Sequence, residues 1–352
     1  MSIDAFKKYY SVEKEKLETR INSFNDELVK EDNMFLKENL EYFKNLNSNG
    51  KLVRGTLVNL GYNLLKGGDY SYDLALAYEV FQTAILIHDD IIDNDNKRRG
   101  VDTIHYINDE KYKKYSEESK HLGDSIAICM GDYGLYKSNE IISKVYENDP
   151  NLGRVLNCFN KTVLDTAKGE LLDVILPYES KYVGIDNKLL EETIMDIYKL
   201  KTALYTIVGP MSVGLLLAGA DDSYLEDIKE FGEKIGLAFQ IQDDILGIYS
   251  EEIGKVIGSD IREFKQTILY AHIMTTSYKD ELLRYYGKEV NEEVLDKVRN
   301  LFKESGSYDY AINKMNGLYD ESVAILENIN WIEESKKEIL RGFVEYLRTR
   351  NK

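Results

Sequence analysis

Proline and cysteine are both scarce in this chain, and each scarcity excludes a class of structure. There are 3 prolines among 352 residues. Because proline interrupts helix interiors and central strands, its scarcity permits long helices. The 2 cysteines, Cys129 and Cys158, are too few for a disulfide framework or a zinc cluster. Both lie in apolar helical patterns, which predicts buried thiols in a reducing compartment.

Excess positive charge and long apolar runs are also lacking. The 62 acidic and 45 basic residues give a net charge of −17, which argues against a nucleic-acid partner because phosphate binding needs a basic surface. The longest apolar stretch, Tyr205 to Ala220, is shorter than the roughly 18 residues of a spanning helix. Residues 1–20 contain no apolar core of a secretory signal. We therefore expect a cytoplasmic protein without a transmembrane segment.

What the sequence contains is a helical pattern along almost its whole length. Apolar residues recur at the spacing of one helix face, for example within 57–65 and 155–164. Strand-like alternation is scarce, and short polar breaks separate the helical segments. We predict an all-α fold, with residues 1–352 forming a single domain of roughly a dozen helices. Residues 279–352 read as a charged, amphipathic outer layer without a catalytic motif.

The most informative segment ends an apolar helical run, Phe81 to Ile87, in a cluster of acidic residues. Asp89 and Asp93 are four apart and share one helix face, and Asp90 lies beside them. Three carboxylates repel one another, and the negative end of the helix dipole adds to that cost. A divalent cation relieves both. Ligands that are all oxygen suit Mg²⁺, which typically uses one or two carboxylates and substrate phosphates.

Two other interpretations apply to a cluster of this kind. A D-D-x-x-D string on its own is often a solvated helix end, so the pattern leaves that interpretation open. An EF-hand loop starting at Asp93 is excluded, because Arg98 stands at its glycine position and Ile104 at its closing glutamate.

A second acidic pair on another apolar helix strengthens the metal hypothesis. Asp243 and Asp244 follow the apolar stretch Ile235 to Ile241. If the two helices face each other across a cavity, both clusters supply ligands to metal ions on one polyanionic substrate. Basic residues near the two clusters offer cations to the same phosphates, namely Arg98, Arg99, Lys255 and Lys265.

Seven motifs follow one another in the chain and together point to a family. They are Gly50-Lys51-x-x-Arg54; Asp89-Asp90-x-x-Asp93 with Arg98-Arg99-Gly100, Thr103 and His105; Gly131-Asp132; Gly169-Glu170-Leu171-Leu172-Asp173; Lys201-Thr202-Ala203; Phe239-Gln240-x-x-Asp243-Asp244; and Gly254-Lys255 with Gly258, Asp260, Lys265 and Thr267. Each is weak alone, but in this order, over about residues 49–267, they resemble the all-trans isoprenyl diphosphate synthases, or polyprenyl synthetases.

The resemblance implies a Mg²⁺-dependent prenyltransferase that is all-helical around a central cavity and usually homodimeric. Such an enzyme joins isopentenyl diphosphate to an allylic diphosphate (dimethylallyl, geranyl or farnesyl). Three Mg²⁺ ions are implied when substrate is bound, with Asp89, Asp93 and Asp243 as direct ligands. The remaining implied roles are metal support by Asp90, Asp244 and Asp260; binding of the allylic diphosphate by Arg98, Lys201, Lys255 and Lys265; binding of isopentenyl diphosphate by Lys51, Arg54, Arg99 and Gln82; and carbocation stabilisation by Thr202 and Gln240.

Two departures and one pair of apolar residues refine this expectation. Gly247 stands where many relatives have a third aspartate, and Gln82 stands where many have a histidine. Ala84 and Phe81 precede Asp89 by five and eight residues, about 7 and 12 Å along a helix. Relatives that stop at fifteen carbons usually carry an aromatic ring at the nearer position. Ala84 therefore implies a product of twenty carbons or more, most simply geranylgeranyl diphosphate. Phe81 is then the next side chain expected to stop elongation, here called the floor of the product pocket.

Three rival interpretations remain. A terpene cyclase shares the first cluster but needs an N/D-x-x-S/T-x-x-x-E second motif, whereas this chain has Asp243-Asp244. A non-catalytic subunit of a heteromeric synthase typically loses the aspartate clusters. An acidic helical scaffold does not explain seven ordered motifs.

Overall fold

The prediction of an all-α fold is confirmed by the computed structural model, which describes residues 2–250 and 258–350. Of the described residues, 78% are helical. The strands found in the described ranges are Lys97–Arg98 (β1) and Val101–Asp102 (β2), which pair antiparallel. This hairpin directly follows the first aspartate cluster, so it brings Arg98 back towards the end of the preceding helix.

The helices of the described residues are long in the first two thirds of the chain and shorter after it. In chain order they are α1 Ser2–Leu28, α2 Met34–Ser48, α3 Val53–Leu65, α4 Tyr72–Ile92, α5 Ile104–Tyr112, α6 Ser119–Val145, α7 Leu152–Tyr178, the π-helix π1 Glu179–Val183, α8 Asn187–Ile197, the π-helix π2 Tyr198–Val208, α9 Gly209–Leu217, α10 Asp222–Tyr249, α11 Ser259–Arg262, α12 Ile268–Ile273, α13 Lys279–Leu282, α14 Glu292–Glu304, α15 Ser307–Asn328 and α16 Glu334–Arg348.

These helices group into two compact units. The unit here called the N-terminal unit contains Tyr9–Asn157 and Val213–Ala220. The C-terminal unit contains the described residues of Met1–Lys8, Cys158–Ser212 and Asp221–Lys352. The first aspartate cluster belongs to the N-terminal unit and the second to the C-terminal unit, so each cluster is described within its own unit.

The N-terminal unit is built around α4, which is apolar on nearly all sides and is buried accordingly. It packs against α3 and α6. Gly134 of α6 lets the two helices approach closely, since a Cβ atom there would lie 2.8 Å from the Cβ of Ala84. Ala84 is therefore enclosed by a helix–helix contact, and Phe81, one turn earlier, is also fully buried.

The C-terminal unit is built around α10, which packs against π2 and α15. Gly236 of α10 lies against the backbone of Ala203 in π2, where a Cβ atom would overlap. This close approach brings the next turn of α10, which carries Gln240, beside Thr202. A π-helix is rare and often marks a functional position, because its extra residue per turn redirects side chains.

One apolar stretch is long enough to cross a membrane, but its surroundings are those of a core helix. It runs from Asn187 to Leu217, with a mean hydropathy of 1.4 in its most apolar window. Within the protein, 83% of that window is buried. Its apolar surface is therefore already covered by protein.

The prediction of buried thiols is wrong for Cys129. Its side chain is exposed on α6, and Cys158 on α7 is of intermediate exposure. Burial raises the pKa of the Cys158 thiol to about 11, so that thiol is unreactive at neutral pH. The helical period alone did not distinguish the covered face of α6 from its open face.

Candidate active site

The first aspartate cluster lies where α4 ends. Asp89 and Asp90 belong to the last turn, and Asp93 is the C-terminal cap residue, whose backbone N–H donates to the carbonyl of Asp89. Arg98 of β1 faces both helical aspartates. Its guanidinium donates to Asp89 Oδ2 at 2.9 Å and to Asp90 Oδ1 at 2.5 Å. Arg98, which the resemblance assigns to the allylic diphosphate, therefore holds both carboxylates in place.

Asp90 differs from Asp89 in its burial. Only 1% of Asp90 is exposed, and this burial raises the pKa of its carboxyl to about 7, although Arg98 opposes the shift. Among the described residues, Asp90 Oδ2 has no hydrogen-bond partner although it is buried. A buried carboxylate oxygen of this kind is costly unless something else satisfies it, and a divalent cation or its water would do so.

The basic residues predicted to bind isopentenyl diphosphate gather around the start of α3. Leu52, next to Lys51, has the left-handed φ of 55°, and Arg99 has a φ of 53°. Such backbone is strained for residues with a side chain and is often retained at functional positions. The guanidinium of Arg99 donates to the carbonyl of Leu46 at 3.4 Å and lies against Gly50.

Glu79 is a buried acidic residue beside this basic group. Its buried carboxylate accepts from the backbone N–H of Gly55 at 2.7 Å. Burial raises the pKa of Glu79, and the positive charges of Arg54 and Arg99 oppose the rise. Gln82 lies one turn further along α4 and is buried. The structure thus brings Arg54 and Arg99 close to Glu79, and all four residues predicted for the isopentenyl site belong to one unit.

In the second cluster the two aspartates point to different surroundings. The Asp243 side chain is 40% exposed. Asp244 is buried, and its oxygens accept from the Tyr198 hydroxyl and from Gln240 Nε2. Burial, together with the charge of Asp260, raises the pKa of Asp244 to about 7. As in the first cluster, the first aspartate is the more accessible and the second is enclosed.

The lysines predicted for the allylic diphosphate surround one acidic residue of α7. Lys201 forms ion pairs with Glu170 at 2.7 Å and Asp173 at 2.8 Å, and Lys265 lies 4.0 Å from Asp173. The structure therefore brings Lys201 and Lys265 together. Lys255 lies outside the described residues.

Asp260 lies beside Gly247, the position at which the family resemblance implies a third aspartate. A Cβ atom built on Gly247 would lie 3.0 Å from Asp260 Oδ2. Because that oxygen is the end of a side chain, a side chain at position 247 would require Asp260 to shift slightly. The carboxylate next to Gly247 is therefore that of Asp260, in α11.

Arg350 is a further charged residue of the second cluster, and the sequence analysis missed it. Its guanidinium forms an ion pair with Asp243 and lies 4.0 Å from the centre of the Phe239 ring. Gln242 Nε2 donates to the backbone carbonyls of Arg348 and Arg350 and so holds this segment against α10. Burial lowers the pKa of Arg350 to about 10. No local motif marks an arginine at this position, which only tertiary packing brings to Asp243.

The residues present fit Mg²⁺ that arrives with a phosphate-bearing substrate. Within residues 2–250 and 258–350, no group of three or more His, Cys, Asp or Glu side chains is arranged to hold a metal ion. Each cluster instead offers oxygen ligands only, with one accessible aspartate. Mg²⁺ binds in this way when waters and substrate phosphates complete its octahedral shell.

Comparison with known proteins finds one family along most of the chain. The polyprenyl synthetase family model matches residues 34–304. A geranylgeranyl diphosphate synthase of Sulfolobus acidocaldarius is 31% identical over 309 residues, which cover 85% of this chain and 86% of that protein. One of Methanosarcina mazei is 33% identical over 271 residues, covering 75% and 71%.

A solved structure shares the fold over the whole chain. It is a geranylgeranyl pyrophosphate synthase of Corynebacterium glutamicum complexed with isoprenyl diphosphate and magnesium. The TM-score is 0.87 at 23% sequence identity, with 98% of this chain and 99% of that chain covered. At this identity the likeness is one of fold.

The contact between Arg350 and Asp243 predicts a competition between a guanidinium and a metal ion. A metal that binds Asp243 must displace Arg350, so Arg350→Gln is expected to tighten Mn²⁺ binding by about two- to fivefold, the size of a partly exposed ion pair. Free Mn²⁺ measured by electron paramagnetic resonance during a titration checks this.

Arg348→Gln is the matched control, because it removes the same charge two residues away, where the side chain pairs with Asp320 at 2.7 Å. Equal Mn²⁺ affinity in the wild type and both variants would contradict the competition.

Proposed function

The chain belongs to the polyprenyl synthetase family, and we propose that it makes geranylgeranyl diphosphate by adding isopentenyl diphosphate to shorter allylic diphosphates. It is a trans-prenyltransferase. The observation that carries the proposal is the form of the two aspartate clusters. In each, the first aspartate is the more exposed, at 12% of the Asp89 and 40% of the Asp243 side chain, and the second is buried and hydrogen-bonded. Two relatives, 31% and 33% identical to this chain, are named geranylgeranyl diphosphate synthases.

The reaction separates charge and therefore needs cations on one side and apolar surroundings on the other. The allylic C–O bond breaks with its electron pair leaving on the diphosphate. The isopentenyl double bond then attacks the allylic carbon, and the released diphosphate takes a proton as the new double bond forms. Asp89, Asp93 and Asp243 are proposed to bind three Mg²⁺, which would neutralise the leaving diphosphate.

Basic residues of the chain complete the binding of both diphosphates. Arg98, Lys201, Lys255 and Lys265 are proposed to bind the allylic diphosphate, and Lys51, Arg54 and Arg99 the isopentenyl diphosphate. Ion pairs with acidic neighbours hold Arg98 and Lys201 in place, so little side-chain entropy is lost when a phosphate exchanges for a carboxylate.

Product length is proposed to depend on the residues that precede Asp89 on α4. Ala84 presents no aromatic ring, and its Cβ is packed against Gly134. Phe81 is one turn further from the aspartates, is fully buried, and contacts Tyr78 edge to face at 6.0 Å between ring centres. Phe81 is therefore the better candidate for the floor that stops elongation.

We propose that the enzyme is a cytoplasmic homodimer whose chain acts as one domain. Exposed apolar residues on α7 recur at intervals of seven, at Leu164, Leu171 and Tyr178, each more than half exposed. A stripe of this spacing on a 27-residue helix is typical of a helix that packs against a partner. The homodimer that the family resemblance implies is the proposed occupant.

Replacement of either accessible aspartate tests the reaction. Asp89→Asn and Asp243→Asn are each expected to lower turnover by at least about a hundredfold, because each removes a charge that fixes the leaving diphosphate. The measurement incubates purified protein with Mg²⁺, labelled isopentenyl diphosphate and each allylic starter, and sizes the products by thin-layer chromatography.

Asp320→Asn is the matched control, since Asp320 is an exposed aspartate of α15. Near-normal turnover in either cluster variant, with an unchanged helical circular dichroism spectrum, would refute the metal role. A wild type that forms no product from any starter would refute the proposed function.

The floor at Phe81 is tested through product length. Phe81→Ala removes a ring from the proposed end of the pocket, so products longer than those of the wild type are expected. Phe302→Ala, which removes a fully buried ring from α14, controls for general destabilisation and is expected to keep the wild-type product. An unchanged product from Phe81→Ala would show that other residues stop elongation.

The dimer is tested by placing a charge on the α7 stripe. Leu164→Glu is expected to convert a dimer to a monomer, because a carboxylate is costly to bury in an apolar interface. Light scattering coupled to size-exclusion chromatography measures the mass. Leu189→Glu makes the same change at another half-exposed leucine, on α8, and should stay dimeric; a monomeric wild type would contradict the proposal.

A further inference from the structure

Four side chains and one backbone amide form a continuous chain of hydrogen bonds within the C-terminal unit. The backbone N–H of Ile268 donates to the Tyr198 hydroxyl at 2.9 Å. Tyr198 in turn donates to Asp244 Oδ2. Gln240 Nε2 donates to Asp244 Oδ1 at 2.9 Å, and the Thr202 hydroxyl donates to Gln240 Oε1 at 2.6 Å. The chain joins π2, α10 and the first residue of α12.

With Asp244 ionised, the direction of every bond in this hydrogen-bond chain is fixed by which groups can donate and which can accept. A backbone N–H can only donate, so the Tyr198 oxygen accepts from Ile268 and its single proton points to Asp244. An ionised carboxylate can only accept, so the amide NH₂ of Gln240 must face Asp244. The amide oxygen of Gln240 then faces Thr202 and accepts a hydrogen bond from its hydroxyl group.

This direction decides what Thr202 and Gln240 can offer to a substrate. Since the Thr202 proton is used within the chain, its oxygen retains only lone pairs for other contacts. The carbonyl oxygen of Gln240 likewise presents its remaining lone pair. Both groups therefore present the negative ends of their dipoles, which favours a positive charge nearby.

We propose that Tyr198 is a positioning residue that acts through Asp244 to lock the Gln240 amide with its oxygen, and not its NH₂, available to the allylic carbocation. This rests on the proposed function, which supplies the carbocation. Asp244 then serves to orient Gln240, and both of its oxygens already have donors, whereas Asp243 remains the accessible carboxylate of the pair.

The Asp244→Asn variant is expected to reverse the hydrogen bond between position 244 and Gln240. If the new amide oxygen accepts from Tyr198, its NH₂ faces Gln240, and the Gln240 amide must turn to present its oxygen. The NH₂ of Gln240 then lies towards Thr202, so the positive end of the amide dipole faces the substrate. Tyr198→Phe is the milder change, because Asp244 keeps Gln240 as a donor but loses the hydroxyl that anchors it.

The test compares the binding of two unreactive probes by calorimetry in the presence of Mg²⁺. One is an allylic S-thiolodiphosphate, which is uncharged at the reacting carbon. The other is an ammonium diphosphate with a protonated nitrogen at the position of the carbocation. In Tyr198→Phe and Asp244→Asn, affinity for the ammonium probe is expected to fall about tenfold or more, while affinity for the thiolodiphosphate stays within about twofold. The kcat of condensation should fall with little change in KM.

Tyr146→Phe is the matched control. The Tyr146 hydroxyl accepts from the backbone N–H of Leu74 at 3.2 Å and donates to the carbonyl of Tyr70 at 2.7 Å, so its removal breaks the same kinds of bond elsewhere. Both probes should bind this variant as they bind the wild type. Equal losses for the two probes in Tyr198→Phe, or none, would overturn the positioning role while leaving the proposed function intact.

Mn²⁺ binding shows whether Asp244 orients Gln240 or instead ligates a metal ion. Asp243→Asn is expected to lose Mn²⁺ affinity, whereas Asp244→Asn is expected to keep it. If both lose it equally, Asp244 is a ligand and the proposal fails. If neither probe binds the wild type, the proposed function itself fails.

Discussion

The cost of placing carboxylates on apolar helices shapes both aspartate clusters. An aspartate within an α-helix that is buried on most sides cannot keep its hydration, and a neighbouring aspartate adds repulsion. The structure reduces this cost in the same way twice. The inner aspartate is enclosed and receives donors, from Arg98 at Asp90 and from Tyr198 and Gln240 at Asp244. The outer aspartate, Asp89 or Asp243, keeps more contact with solvent.

Three basic side chains form ion pairs with acidic neighbours at the positions where the proposed substrate and its metal ions would bind. Arg98 holds Asp89, Lys201 holds Glu170 and Asp173, and Arg350 holds Asp243. These ion pairs keep the two signs of charge close together. In the proposed function, a diphosphate with Mg²⁺ would replace each carboxylate as the partner of a cation, and each cation as the partner of a carboxylate. The site is thus preorganised and yet exchangeable, which suits a reaction that releases a diphosphate at every cycle.

Much of the site could be anticipated from local sequence because its parts are short motifs on helices. Asp89, Asp90 and Arg98 are close in sequence, and the turn after α4 brings them together. The resemblance of two separate motifs to those of a known family, one with Lys51 and Arg54 and the other with Arg99, likewise pointed to one group. Arg350 could not be anticipated in this way, since it lies in a segment that carries no motif and meets Asp243 only through the packing of the final turn against Gln242. The exposure of Cys129 was mistaken for the same reason, because periodicity does not show which face of a helix is covered.

By itself, the sequence determined the all-helical fold, the positions of the two acidic clusters and the family, since these depend on the spacing of residues within single helices. Only the tertiary structure decided which aspartate of each pair faces inwards, that Asp260 fills the space beside Gly247, and that Tyr198 directs Asp244. Tyr198 and Asp244 are 46 positions apart, and Tyr198 and Ile268 are 70 apart. Contacts at such separations arise from how helices pack, and burial, which sets the charge and the partners of each carboxylate, follows from that packing.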